Sequence, residues 1–151
     1  GQTRSQNFDV KVDLSKSVWR GDAGFYFGWD RHKLANGGKC ICPFVLVRCV
    51  ADDDIRIEIG SLTIAETDQG ISVNHVAVHA QSVTKNPGLR GATLEVSVRN
   101  GRLDSVFWSS DPVPQNVLDL VPPTANFSNG IGFVNRNGST SFREARFLLV
   151  K

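Results

Sequence analysis

Paired carboxylates are the first residues in this chain whose types and spacing could do chemistry. Asp52, Asp53, Asp54 and Glu58 crowd into the run Asp-Asp-Asp-Ile-Arg-Ile-Glu. A retaining glycosidase needs two carboxyl groups about 5–5.5 Å apart, one a nucleophile and one an acid. Alternate residues of a strand point to one side about 7 Å apart, so a single strand can carry such a pair. Arg56, however, lies between Asp54 and Glu58 on the same face. A guanidinium there favours ionised carboxylates and opposes the raised pKa of a general acid. A solvated ion-pair ladder is the simpler reading, and no catalytic residue is assigned.

Metal chemistry has two candidate constellations. His32, Cys40, Cys42 and Cys49 can be written as His-x7-Cys-x-Cys-x6-Cys, but zinc knuckles place paired thiolates two to four residues apart on a turn. Three cysteines are also the wrong number for a disulfide framework. They read as small hydrophobes, with one pair oxidised if the protein is exported, and their redox state stays open. His75 and His79 share a strand face but lie about 13 Å apart, too far for one metal. Val73, Val76 and Val78 argue against the helix that would bring them together. No metal ligand is assigned, and serine elbows, phosphate loops and Cys-x-x-Cys pairs are not found.

Binding has better support than catalysis. In Phe25-Tyr-Phe-Gly-Trp-Asp30 strand alternation puts Phe25, Phe27 and Trp29 on a core face and Tyr26, Gly28 and Asp30 on the other. The second set would make a flat polar-aromatic strip on which a sugar ring can lie while a carboxylate accepts its hydroxyl hydrogens. Arg56, Glu58 and Trp108 join it if their strands share that sheet. Arg20-Gly-Asp22 spells an adhesion tripeptide, but Gly-Asp is also ordinary turn chemistry before a strand.

The elements that must position these residues read almost entirely as strands. Phe8, Val10, Val12 and Leu14 alternate with polar residues, as do Ile55, Ile57 and Ile59. Strands are expected over 24–29, 44–50 and 70–80, with a loop at 33–39 and turns at Gly60-Ser61 and Asn86-Pro87-Gly88. The Gly60-Ser61 turn would pair Ile59 with Leu62 and Ile57 with Ile64. Asn100-Gly101 marks a two-residue hairpin between 93–99 and 103–108. Its regular register sets Leu94 against Phe107, Val96 against Ser105 and Thr93 against Trp108, which sends Trp108 away from the core. Residues 111–129 are a long connection with one short helical turn near 117–120.

At 151 residues, with 40% hydrophobic and 21% charged residues, the chain is expected to be a single globular domain over 1–151. A net charge of +2 with interleaved signs gives no nucleic-acid footprint. No apolar run approaches the ~20 residues of a membrane span. With no signal peptide and no methionine, the chain is expected to be a processed piece of a larger polypeptide.

The short strands and glycine-proline punctuation point to an all-β, two-sheet antiparallel β-sandwich or jelly roll. The order of features adds a family. An early Phe8-Asp-Val-Lys-Val strand, Asp22-Ala-Gly-Phe-Tyr-Phe-Gly-Trp, the 92–106 hairpin, Gly130-Ile-Gly-Phe-Val and a last Phe142-Arg-Glu-Ala-Arg-Phe strand together resemble the concanavalin A-like lectin/glucanase superfamily. Within it, the laminin-G-like and 3-keto-disaccharide-hydrolase-like domains are the most similar. The resemblance implies a jelly roll with one concave sheet, first and last strands close together, and sugars bound in the concave face or at its rim. Glucan-hydrolysing members carry a Glu-x-Asp-x-x-Glu-type strand, from which the 52–58 run departs in lacking the leading glutamate.

The resulting expectation is a non-catalytic binding or accessory domain of an extracellular, periplasmic or cell-surface protein, with carbohydrate as ligand and Tyr26, Asp30, Arg56, Glu58 and Trp108 as the binding residues. No cofactor is expected, and calcium enters only through the resemblance. A glycoside or keto-disaccharide hydrolase-like enzyme and a structural or protein-interaction module are the alternatives, because this fold hosts many functions.

Overall fold

The computed structural model describes residues 6–15, 21–49, 54–85 and 92–151, the side chains of Asn36 and His75 excepted. The expected turn at Asn86-Pro87-Gly88 lies outside them, as do Asp52, Asp53 and Arg20. Among the described residues the strands are β1 (Phe8–Ser15), β2 (Asp22–Trp29), β3 (Lys39–Cys49), β4 (Asp54–Thr67), β5 (Gly70–Lys85), β6 (Ala92–Arg99), β7 (Arg102–Trp108), β8 (Asp111–Pro112), β9 (Gly130–Arg136) and β10 (Ser141–Leu149). Two short helices, α1 (Arg31–Leu34) and α2 (Gln115–Leu118), interrupt them.

The strands form two antiparallel sheets, ordered β10-β1-β6-β7-β8 and β5-β4-β3-β2-β9. Alternation decides which side chains meet between them. Phe8, Val10, Val12 and Leu14 of β1 and Leu94, Val96 and Val98 of β6 face Phe25 and Phe27 of β2, Val45 and Val47 of β3, and Ile55, Ile57 and Ile59 of β4. This is the apolar set expected from period-2 patterning. The first and last strands are neighbours, Phe8 opposite Leu149 and Leu14 opposite Phe142.

The Asn100-Gly101 turn forms as expected, with both residues at positive φ, 53° and 72°, as a two-residue hairpin turn demands. Its register does not continue regularly. A bulge opposite Ser97 and Val98 inserts Asp104, so that Ser97 pairs with Ser105, Val96 with Val106 and Leu94 with Trp108. One extra residue turns every later side chain over. Trp108, expected to point outward, is therefore only 3% exposed and belongs to the core beside Val106.

The second sheet departs from expectation at its glycines. Gly60-Ser61 is no turn; β4 runs on through it to Thr67 and pairs with β3 along its length. Position 60 is buried there and requires glycine, because any Cβ would run into the Ala77 carbonyl and the Phe44 ring. The turn comes at Asp68-Gln69, where the Thr67 hydroxyl accepts from the Gln69 N–H at 3.3 Å and donates to the Gly70 carbonyl at 2.9 Å. β3 likewise begins at Lys39, inside the expected loop, and takes Cys40 and Cys42 into the sheet. Pro43 is tolerated because the β2–β3 ladder stops at Tyr26 and Phe44.

Bulges between Ile59 and Gly60, between Thr63 and Ile64, and between Tyr26 and Trp29 bend the second sheet, which curls. The curl gives it a second buried face. Leu34, Cys40, Cys42, Phe44, Leu46, Leu62 and Ile64 cluster there, with Tyr26, Trp29 and Val134 packed against them.

The bulged hairpin register is open to test. Trp108→Ala is expected to cost about 3–5 kcal/mol in urea unfolding, the usual range for an aromatic deleted from a core, and Phe107→Ala clearly less. The reverse order would show that β7 pairs without the bulge.

Candidate functional site

The curled face carries an unusual row of charge at one end. Ladder pairing sets Arg136 of β9 opposite Asp22 of β2, Asp22 opposite Arg48 of β3, and Arg48 opposite Arg56 of β4. Directly opposed residues share a face, and Glu58 joins them two residues along β4 from Arg56. Their neighbours Ala23, Val47 and Ile57 point the other way and are buried. The sandwich core therefore drives this charged row into the curl.

Both carboxylates are buried, Asp22 at 4% and Glu58 at 3% exposure, and both are paired. Arg136 Nη2 donates to Asp22 Oδ2 in a short ion pair. Arg48 lies between the two acids, its Nε 3.6 Å from Asp22 Oδ1 and its Nη1 3.6 Å from Glu58 Oε1. Arg56 Nη1 is 3.9 Å from the same Glu58 oxygen. A carboxylate taken out of water is tolerated only with such partners. Beside this row opens a cavity of about 440 Å³ walled by Gly21, Asp22, Arg48, Cys49, Val76, Arg136 and Asn137. Val76 belongs to β5 and Arg136 to β9, the opposite edges of the sheet, so it is the curl that brings these walls together.

Further into the curl lies a thiol pair. The Cys40 thiol donates to the Gly28 carbonyl at 3.3 Å, and its sulfur lies 3.6 Å from that of Cys42. Burial, then the Cys40 thiol beside it, pushes the Cys42 thiol up to about 12, against a downward pull from Lys33. Burial, then Cys42, also raises the Tyr26 phenol above its ordinary 10.0. Among the described residues no three His, Cys, Asp or Glu side chains converge on a metal position.

The expected binding residues scatter. Arg56 and Glu58 lie together in the charged row. Tyr26 shares their face, but its ring rests on Gly132, where a Cβ would collide with it, and meets Trp29 edge-on at 6.5 Å. Trp29 reaches that side because Gly28, at φ 75°, forms a bulge; simple alternation had placed it with Phe25 and Phe27. Asp30 accepts from the His32 N–H at 3.0 Å as the N-cap of α1. Trp108 lies in the core contributed by the first sheet and lines a separate cavity of about 500 Å³ with Ser82, Thr84, Lys85 and Asp111. β7 belongs to the other sheet, so Trp108 does not join Tyr26, Gly28 and Asp30.

Asp22, Arg48 and Arg136 are the site residues that sequence reasoning missed. A signal for two of them was present: with Ala23, Val45 and Val47 turned to the core, Asp22 and Arg48 must share the opposite face. Burial of Asp22 also removes its carboxylate from use as an adhesion tripeptide. Asp54 is exposed at the start of β4, and His79 Nε2 pairs with the Ser61 hydroxyl at 3.2 Å.

No protein-family model, no curated protein and no solved structure matches this chain. Among the described residues no helix is long and apolar enough to cross a membrane.

Two outcomes test this geometry. A double-mutant cycle on Asp22→Asn and Arg136→Gln should give a coupling of roughly 1–3 kcal/mol in chemical unfolding; additivity would mean the pair is loose. For the thiols, Cys42 keeps its proton to about pH 12 when folded but loses it near 9.0 when unfolded. Stability should therefore fall as pH rises through that window, and less steeply in Cys42→Ala. An identical slope in both proteins would count against the buried thiol.

Proposed function

We propose that this chain is a non-catalytic binding domain of concanavalin A-like jelly-roll type, that its ligand is a carbohydrate, and that the ligand enters the charged mouth of the curled sheet. The observation that carries this reading is the cavity beside Asp22, Arg48 and Arg136, whose polar wall is held in place by ion pairs to the buried Asp22 carboxylate. Preorganised donors in a pocket of this size are what a small polar ligand requires. The nested pairing of β1 with β10 and β2 with β9 supports the jelly-roll assignment, while β2 to β5 and β6 to β8 run as meanders.

The hydrolase reading has less support. Asp22 and Glu58 are the buried acids of the site, and each faces guanidinium groups. Glu58 does not line the cavity, so the two carboxylates do not converge on it as a nucleophile and an acid would have to.

One observation favours a protein-interaction module instead. β5 is an edge strand of the second sheet and exposes Ile71, Val73, Val76 and Val78 at 41–64%. Long apolar edges invite pairing with another chain.

A glycan-array screen with and without calcium separates the readings. Specific binding is expected, with Arg48→Ala weakening it at least tenfold and Val73→Lys leaving it unchanged. Silence against all glycans, together with self-association abolished by Val73→Lys, would replace the carbohydrate reading with the interaction module.

A further inference from the structure

We infer that the mouth between Arg48 and Arg136 receives an acidic group, so that the ligand is a saccharide bearing a carboxylate or a sulfate ester. This rests on the carbohydrate-binding reading above and adds the chemical class of the sugar.

Charge balance is the first ground. The row holds Arg48, Arg56 and Arg136 against Asp22 and Glu58, which leaves one positive charge in excess. Two guanidinium groups would neutralise two buried acids. Arg136 pairs with Asp22, Arg48 at 3.6 Å and Arg56 at 3.9 Å share Glu58, and Arg48 also lies 3.6 Å from Asp22, so one guanidinium charge in the row is unmatched.

Unused hydrogen-bonding capacity is the second. A guanidinium offers five N–H donors in a planar fork. Arg48 reaches each carboxylate only at 3.6 Å, beyond hydrogen-bond distance, and among the described residues no hydrogen bond to it is found. Its side chain is 52% exposed and that of Arg136 is 44% exposed, and both line the cavity. The two half-exposed arginines therefore border the same space.

The third ground is the shape of the remaining wall. Asn137 adds a polar residue to the lining, and Val76 offers an apolar surface 41% exposed. The volume of about 440 Å³ falls within the ~300–1,000 Å³ typical of small-molecule sites. A planar acidic group bonded by an arginine fork, with the sugar ring against Val76 and a hydroxyl on Asn137, matches the charged, apolar and polar parts of this lining. Asp22 does not repel it strongly, because both its oxygens already face arginines.

The test titrates the whole chain with oligosaccharides of equal length in three sets: uronate-bearing, sulfated and neutral. Binding to at least one acidic set, at least tenfold tighter than to the neutral set and weakened by salt, is the expected result. Which acidic set binds distinguishes carboxylate from sulfate. Arg48→Lys, which keeps the charge but loses the fork, should weaken acidic binding at least fivefold. Asn137→Ala, outside the buried ion pairs, should weaken it too and covers the case in which the Arg48 variant fails to fold. Equal binding of neutral and acidic sets would overturn the acidic class while leaving a carbohydrate-binding domain. Binding to no set would remove both readings, and acidic binding unchanged in the folded variants would remove the assigned seat.

Discussion

Burial on both faces of the second sheet is the constraint on which the rest of this structure depends. An antiparallel sheet can leave one face in water, and polar residues on that face then need no special partners. Here β2, β3 and β4 send Phe25, Phe27, Val45, Val47, Ile55, Ile57 and Ile59 into the core shared with the first sheet. Their other side chains are enclosed by the curl. Asp22 and Glu58 lie on that side and lose their water, while Arg48 and Arg136 keep about half of their side-chain surface in solvent.

The curl and the charge row explain each other. Bulges bend the sheet until β5 and β9 wall one cavity, and the bend withdraws solvent from the end of the curl where the acids lie. Arginine suits that place because its charge is permanent and its donors are fixed in a plane. The half-exposed side chains of Arg48 and Arg136 carry positive charge from the buried acids to the surface. The same guanidinium groups thus hold the buried carboxylates and line the cavity. The thiol pair lies where the curled face is apolar, and there desolvation outweighs the downward pull of Lys33 and raises the Cys42 thiol.

Glycine does two different jobs in this bending. Gly28 takes a positive φ that lets β2 bulge and turns Trp29 toward Tyr26. Gly60 and Gly132 supply space instead, for the Ala77 carbonyl and the Phe44 ring in one case and the Tyr26 ring in the other. A glycine inside a strand pattern can mark a turn, a bulge or a close approach, and nothing local distinguishes the three. For that reason Gly60-Ser61 read as a turn.

The sequence by itself determined the class of the fold, the inward faces of β1, β6 and the first half of β4, and the Asn100-Gly101 turn, because alternation and turn chemistry are local properties. It also showed Arg56 and Glu58 as a charged pair. Only the tertiary structure decided that Trp108 is inside, since one residue inserted at Asp104 inverts the strand and leaves no mark in composition. Only the tertiary structure, too, brought Arg136 to Asp22 across 114 residues of chain. Which strands lie side by side depends on the packing of whole faces, and that is settled by the sum of burial over both sheets rather than by any short run of residues.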